Sequence, residues 1–501
     1  MLSKNIVANY VSQMYVTIIG IVLLPVYIKY MGSEAYGLVG FFTMLQAWFN
    51  LLDLGLTPTI GRETARYRGG VVTALSYRQL YRALTIIFLI IAIFGAIGLY
   101  LLSDLIVMKW LTLDNLIVDE VIVAVKIMAI IVALRWMAGL YRGVISGSEQ
   151  FIWLSSFNIG IVTLRFAGVL VSMWYFGFTP LVFFSHQLLV AFIEIVGLAF
   201  KSNTLLPNKK QITANIGWSF KPVKPILKFS LTIAFTSSVW ILVTQADKLV
   251  LSGILSLENY GYFTLGVVVA NGVMLIGTPI SNAVMPRMAM LFAEHKHESM
   301  IAVYRKTTQF VVIIAGSAAI TLVVAAKPLL NAWTGQDQIA ERAATILQLY
   351  SLGNLFLCLA AFAYYLQYAK GNLRYHFIGN IGLGLILIPC IIFAARYYGG
   401  VGAGYVWLIV NASFLFGWVA YIHHKLEPKL HISWLVNDVL RIIIPAGIVG
   451  FISWLIIKDF HLVNRMYNLL VVVGVGGGVL GISLLSSKQA MSIFKSRIKV
   501  L

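Results

Sequence analysis

Fourteen stretches of the chain stay apolar for about 17 to 25 residues at a time, the length a helix needs to cross the ~30 Å hydrocarbon core of a bilayer. They fall near 5–28, 35–57, 83–102, 121–141, 152–176, 180–200, 229–253, 259–281, 308–326, 343–369, 375–395, 401–423, 440–457 and 467–485. Inside hydrocarbon every backbone N–H and C=O must find a partner within the segment, so runs of this length are helices. The expected fold is therefore an all-α polytopic membrane protein with 14 transmembrane helices. Composition excludes the water-soluble alternative: 60% of residues are hydrophobic, 11% are charged and the mean hydropathy is +0.89, whereas a soluble domain is nearer half apolar and a quarter charged. Residues 5–28 are too long an apolar run, and lack the small-residue cleavage site, for a removed signal peptide. They read as the first span.

A net charge of +19 raises the question of nucleic acid, and the placement of the charges answers it. Of the 37 Lys and Arg, 26 fall at the N-terminus, the C-terminus and every second connector, seven in the intervening connectors and four within helices. This alternation is the positive-inside pattern of a membrane protein, so no nucleic-acid partner is implied and both termini are expected on the cytoplasmic side. Cys358 and Cys390 both lie within predicted helices, which offers neither a disulfide framework nor a metal motif. No cofactor is implied.

An internal repeat organises the spans. Glu34, Tyr36 and Gly37 recur as Glu258, Tyr260 and Gly261, and Tyr141, Gly147 and Gly160 recur as Tyr365, Gly371 and Gly384, all at an offset of 224. Repeated halves with a site at their interface are common among transporters, and an even helix count per half makes the halves parallel. The expectation is two pseudo-twofold six-helix lobes around a central cavity, residues 1–204 and 229–425. Residues 205–228 form a basic cytoplasmic linker between them, and 426–501 contribute two further helices and a basic tail. The linker, with Lys209, Lys210, Lys221, Lys224 and Lys228, reads first as positive-inside bias and second as a contact for anionic lipid. Tyr141 to Gly147 reads as a loop between the fourth and fifth helices, and Gly474, Gly476, Gly477 and Gly478 as a face for close packing of the last helix.

Charges at bilayer depth carry the chemistry, because each costs a few kcal/mol and so faces protein or water. Arg135 and Arg142 are seven residues apart and share a helix face, with about 10 Å between them along the axis. Arg165 lies deep in the next helix. Together with Lys248 these are the candidate lining of a cationic cavity. The opposing reading is structural: the intramembrane acids Glu194, Asp247 and Asp53 pair with them, or serve as sites of ion coupling. Asp53 also has Arg62, Arg66 and Arg68 within reach, and adjacent Asp247 and Lys248 project about 100° apart and need separate surroundings. Lys126 points away from Arg135 and reads as an interfacial lysine. His186 reads as a satisfied interfacial histidine.

Five short motifs add a resemblance: Met31-Gly32-Ser33-Glu34-Ala35-Tyr36-Gly37, Leu52-Asp53-Leu54-Gly55 followed by Arg62, Gln245-Ala246-Asp247-Lys248 followed by Tyr260-Gly261-Tyr262, Ala369-Lys370-Gly371-Asn372 and Gly399-Gly400-Val401-Gly402-Ala403. In this order they resemble the polysaccharide transporter family, specifically Wzx-type O-antigen flippases, within the superfamily that includes multidrug and toxin extrusion proteins. The resemblance covers residues 1 to about 425. It implies alternating access in a bacterial inner membrane, with a polyprenyl-diphosphate-linked oligosaccharide as cargo, membrane lipid as surroundings, cation coupling, and a polysaccharide polymerase or ligase as pathway partners. Arginine forks suit a diphosphate. Two alternatives stand beside it: a cation-coupled multidrug exporter, which needs an acidic, aromatic cavity, and an integral-membrane polymerase or glycosyltransferase. The latter needs acids in a sizeable outer loop, whereas the largest, 103–120, offers only Asp104, Asp114, Asp119 and Glu120.

Overall fold

In the computed structural model residues 2–208, 217–458 and 464–487 are described. Lys209, Lys210 and the basic tail from residue 488 lie outside them. The chain divides into two compact units, Met1–Gly261 and Tyr262–Leu501. The repeat places its division at 205–228, yet by contacts the helix after that stretch stays with the first unit.

The first unit contains α1 (Leu2–Met31), α2 (Ser33–Phe49), α3 (Leu56–Arg68), α4 (Ala74–Leu105), α5 (Val118–Gly147), α6 (Phe151–Thr163), α7 (Val169–Phe176), α8 (Pro180–Thr204) and α9 (Lys224–Ser252). Two of its helix starts carry a side-chain cap. Thr73 accepts the Ser76 N–H ahead of α4, and Thr179 accepts the Val182 N–H ahead of α8, which has Pro180 in its first turn; these are the side-chain caps that orphan N–H groups require. Gly177, at φ 102°, ends α7 with a conformation that side chains resist.

The stretch Tyr141–Gly147, expected as a loop, is the last two turns of α5. Its glycines make a groove for α3. A Cβ on Gly143 would stand 2.5 Å from Ile60 Cγ2 and 2.8 Å from the Thr57 carbonyl, and one on Gly147 would overlap the Gly61 carbonyl. The same close approach brings the start of α2 against the helix that follows α9, where a Cβ on Gly261 would stand 2.5 Å from the Ser33 carbonyl. Nearby, the Glu34 carboxylate accepts the N–H groups of Asp114, Asn115 and Leu116 and so ties down the loop ahead of α5.

The second unit follows α10 (Leu257–Ala270), which straddles the division, with α11 (Gly277–Ala293), α12 (His297–Val311), α13 (Ser317–Val324), α14 (Ala326–Thr334), α15 (Asp337–Ala369), α16 (Arg374–Ser413), α17 (Ala420–Leu426), α18 (Leu430–Trp434), α19 (Arg441–Ile457) and α20 (Arg465–Ser486). Its core is built on α12, α15 and the turn before α19, with Tyr304, Phe362 and Trp434 fully buried. The glycines of α20 do not make the expected tight face: nothing lies within 4 Å of a Cβ placed on Gly474 or Gly477, and the nearest atoms to Gly476 and Gly478 are 3.5 and 3.7 Å away.

Among the described residues twelve helices are long and apolar enough to cross a membrane. Two places account for the difference from fourteen. The stretch Arg374–Leu426 is counted once, although Gly399, at φ 59° and ψ −143°, breaks α16 into two helices. And α9, 29 residues long, has the length of a span without being among the twelve.

Candidate functional site

Arg135, Arg142 and Glu194 meet on a ladder between α5 and α8. Arg135 and Arg142 are seven apart on α5, and Gln187 and Glu194 are seven apart on α8. Two helices that keep the same seven-residue step present matching rows. One rung joins Arg135 to the Gln187 side-chain oxygen at 2.7 Å, and the next joins Arg142 to Glu194 Oε1 at 2.5 Å. From α2, Gln46 accepts a second bond from Arg135 at 3.1 Å. From α6, Asn158 accepts from Arg142 at 3.3 Å and donates to Ser12 on α1. Arg135 also lies over the Phe42 ring, 5.2 Å from its centroid.

Arg165 joins from a different backbone. Between α6 and α7 the chain runs through a π-helical turn, Leu164–Gly168, of the kind often found at functional positions. It brings Arg165 to Glu194 Oε2 at 2.6 Å. One carboxylate thus bridges two guanidiniums, while Arg135 is met by neutral amide oxygens. The cluster of three arginines and one glutamate carries two uncompensated positive charges. Glu194 retains 4% side-chain exposure, Arg165 21% and Arg142 32%. The Nε of Arg135 and that of Arg165 are buried without a hydrogen-bond partner. Donors of this kind, forked and charged, suit a doubly charged oxyanion.

The other candidates stand elsewhere. Lys248 lies with Asp247 on α9: its ammonium is 3.4 Å from Asp247 Oδ1 and donates to the Thr244 carbonyl, while the same oxygen accepts the Lys248 N–H. Adjacent residues thus share surroundings after all, because the long lysine stem folds back. Asp53 accepts both the N–H and the hydroxyl of Thr57 and so caps the start of α3. Of the arginines near it, Arg66 goes to Glu63 and Arg68 to the Ser148 carbonyl. Lys126 pairs with Asp104 at 3.5 Å. His186 is bonded through both ring nitrogens, to Ser172 and to the Leu164 carbonyl. Among the described residues no group of three or more His, Cys, Asp or Glu is placed to hold a metal. Sequence reasoning missed Gln46, Gln187 and Asn158, although the shared seven-residue step was there to find.

Residues 2–292, more than half of the chain, match the family described as "Polysaccharide biosynthesis protein". The chain belongs to this family. A Shigella flexneri protein named "Putative O-antigen transporter" is 21% identical over 415 residues, covering 81% of this chain and 94% of its own. Among solved structures, the lipid II flippase MurJ in an inward closed conformation superposes with a TM-score of 0.66 at 16% identity, over 99% of each chain. An inward-facing multidrug resistance MATE family transporter of the MOP superfamily gives 0.64 at 14% identity, over 83% of this chain and 96% of its own. At such identities the likeness to the solved structures is one of fold. These three relatives are named as transporters or a flippase, and none of them as an enzyme.

Proposed function

We propose that the chain is a flippase that carries a polyprenyl-diphosphate-linked oligosaccharide, such as an O-antigen repeat unit, from the cytoplasmic to the periplasmic leaflet of a bacterial inner membrane. Both termini are cytoplasmic, and transport proceeds by alternating access, with the arginine cluster as the place that meets the cargo. The observation that carries the reading is the charge imbalance. Three arginines stand with one carboxylate: Glu194 bridges Arg142 and Arg165 and leaves Arg135 to neutral oxygens, in a setting where each unmatched charge is costly. A diphosphate relieves that imbalance; an organic cation worsens it, which sets the multidrug reading second. Cation coupling fits Glu194 because both of its oxygens are engaged. A proton or metal cation reaches it only as an arginine lets go, and the arginine is let go when cargo takes it. Polymerase or ligase partners would receive the cargo on the far side.

The test is translocation of a fluorescent polyprenyl-diphosphate sugar in proteoliposomes. Arg135 uses both terminal nitrogens, a fork that lysine lacks, so Arg135→Lys is expected to lower the rate about tenfold or more. Wild-type rates from the double variant Arg135→Ala, Arg165→Ala would remove the cluster from cargo recognition.

A further inference from the structure

Three successive carbonyls in the π turn that carries Arg165 are held by side chains from other helices. His186 on α8 bonds the Leu164 carbonyl at 2.9 Å, Gln187 donates its amide to the Arg165 carbonyl at 2.9 Å, and Tyr27 on α1 donates its hydroxyl to the Phe166 carbonyl at 2.6 Å. A π turn holds one residue more than an α turn. Its loss would rotate everything on one side by about 100° and shift it by about 1.5 Å, enough to swing Arg165 away from Glu194. In hydrocarbon, carbonyls released by a bulge need donors to persist, and these three side chains supply them.

Gln187 does two things at once. It is 3% exposed, and its amide is bonded at both ends: nitrogen to the Arg165 backbone, oxygen to the Arg135 guanidinium. We infer that Gln187 is the positioning residue of the anion site, fixing the backbone register that aims Arg165 while holding Arg135 by a neutral acceptor that leaves its charge available. Glutamine is the side chain of this shape that meets both demands. Glutamate keeps the acceptor but loses the donor and adds a negative charge beside Arg135; leucine keeps the bulk and loses both polar contacts. Tyr27 and His186 secure the same turn from either side. This inference rests on the proposed anion site and adds to it the residue that sets its geometry.

The experiment uses the full chain in lipid nanodiscs with inorganic diphosphate as the probe, its apparent affinity read from the ligand-dependent rise in unfolding temperature. Hydrogen exchange of the amides from Leu164 to Val169 reports the turn. Gln187→Glu and Gln187→Leu are each expected to weaken diphosphate binding at least about tenfold, the scale of losing a hydrogen bond to a charged group. Gln187→Glu should fall further because it also cancels charge. Exchange in the turn should quicken in both. Tyr27→Phe removes only a hydroxyl and carries the test if the Gln187 variants do not fold; about a two- to tenfold weakening is expected. A filler role is told apart by affinity: if the variants fold and bind diphosphate within twofold of the wild type, the positioning role is overturned and the anion site stands. If the wild type itself does not bind diphosphate, the anion site and its positioning residue fall together.

Discussion

Replacing Glu194 by glutamine separates two consequences that a purely structural ion pair would not separate. The carboxylate is 4% exposed and bonded at 2.5 Å to Arg142 and 2.6 Å to Arg165. Glutamine keeps the shape, removes the charge and turns one of the two acceptors into a donor that confronts a guanidinium. Removing one partner of a buried pair costs ~3–5 kcal/mol. Arg165 and Arg142 retain 21% and 32% exposure, so water takes over part of their solvation and ~2–3 kcal/mol is the expected loss. The same substitution raises the cluster from two to three uncompensated positive charges, so affinity for a dianion should rise. Diphosphate at about a hundred times its dissociation constant returns ~2.7 kcal/mol, close to the loss. In nanodiscs, Glu194→Gln should therefore unfold at a lower temperature than wild type in plain buffer, return with diphosphate in excess to near the temperature of the ligand-free wild type, and show a larger diphosphate-induced shift than the wild type does. The reasoning is refuted if the variant is as stable as wild type without ligand, or if its diphosphate-induced shift is no larger.

Glycine positions give a paired test of packing. Gly147→Ala drives a methyl group into the Gly61 carbonyl and within 2.8 Å of Thr64 Cβ, and because a backbone group cannot yield cheaply, destabilisation of about 1–3 kcal/mol or more is expected. Gly477→Ala meets nothing within 4 Å and should be neutral or stabilising by up to ~1 kcal/mol, the difference in helix propensity. Thermal unfolding of the two variants in one detergent reads the contrast, and equal effects would overturn the packing of α3 on α5. At the other end of the chain, Arg465 donates to the carbonyls of Ala332 and Trp333 that end α14. Arg465→Ala should cost ~1 kcal/mol at this exposed position and speed exchange in α14, and unchanged exchange there would show that the cap is idle.

Much of the fold was legible because a span announces itself by length and apolarity alone. What escaped was α3, a short amphipathic helix whose polar face hides it from a search for apolar runs and whose role shows only against α5. The glycines point the same way. A dense group at 474 to 478 looked like a packing face and is not, whereas Gly139, Gly143 and Gly147, spaced every four residues on α5, bring a neighbouring backbone close. Spacing along one face, and not local density, admits another helix. The arginines stood out through their cost in hydrocarbon. Their amide partners did not, since a lone Gln in a membrane helix is ordinarily a packing contact, and only the register of two helices taken together singles out Gln187. The π turn at Arg165 leaves no signature in residue type, so no reading of spacing would have placed that side chain against Glu194.

The charge pattern also bears on which cargo the fold serves. Four acids within the described helices each have a match: Glu194 between two arginines, Asp247 with Lys248, Asp438 with Arg305, and Asp53 on the N–H and hydroxyl of Thr57. At Glu194 or Asp247 a drug cation would have to displace a guanidinium or an ammonium from its carboxylate and leave that cation buried, a cost of several kcal/mol. An arriving diphosphate displaces no carboxylate at first, because Arg135 has only amide oxygens and a ring against it. It gains its first bonds there, and Glu194 is released only if the anion goes on to compete for Arg142 and Arg165. The order of events, first Arg135 and then the bridged pair, predicts that Arg135 variants lose initial binding, whereas Arg165 variants bind and then stall before translocation.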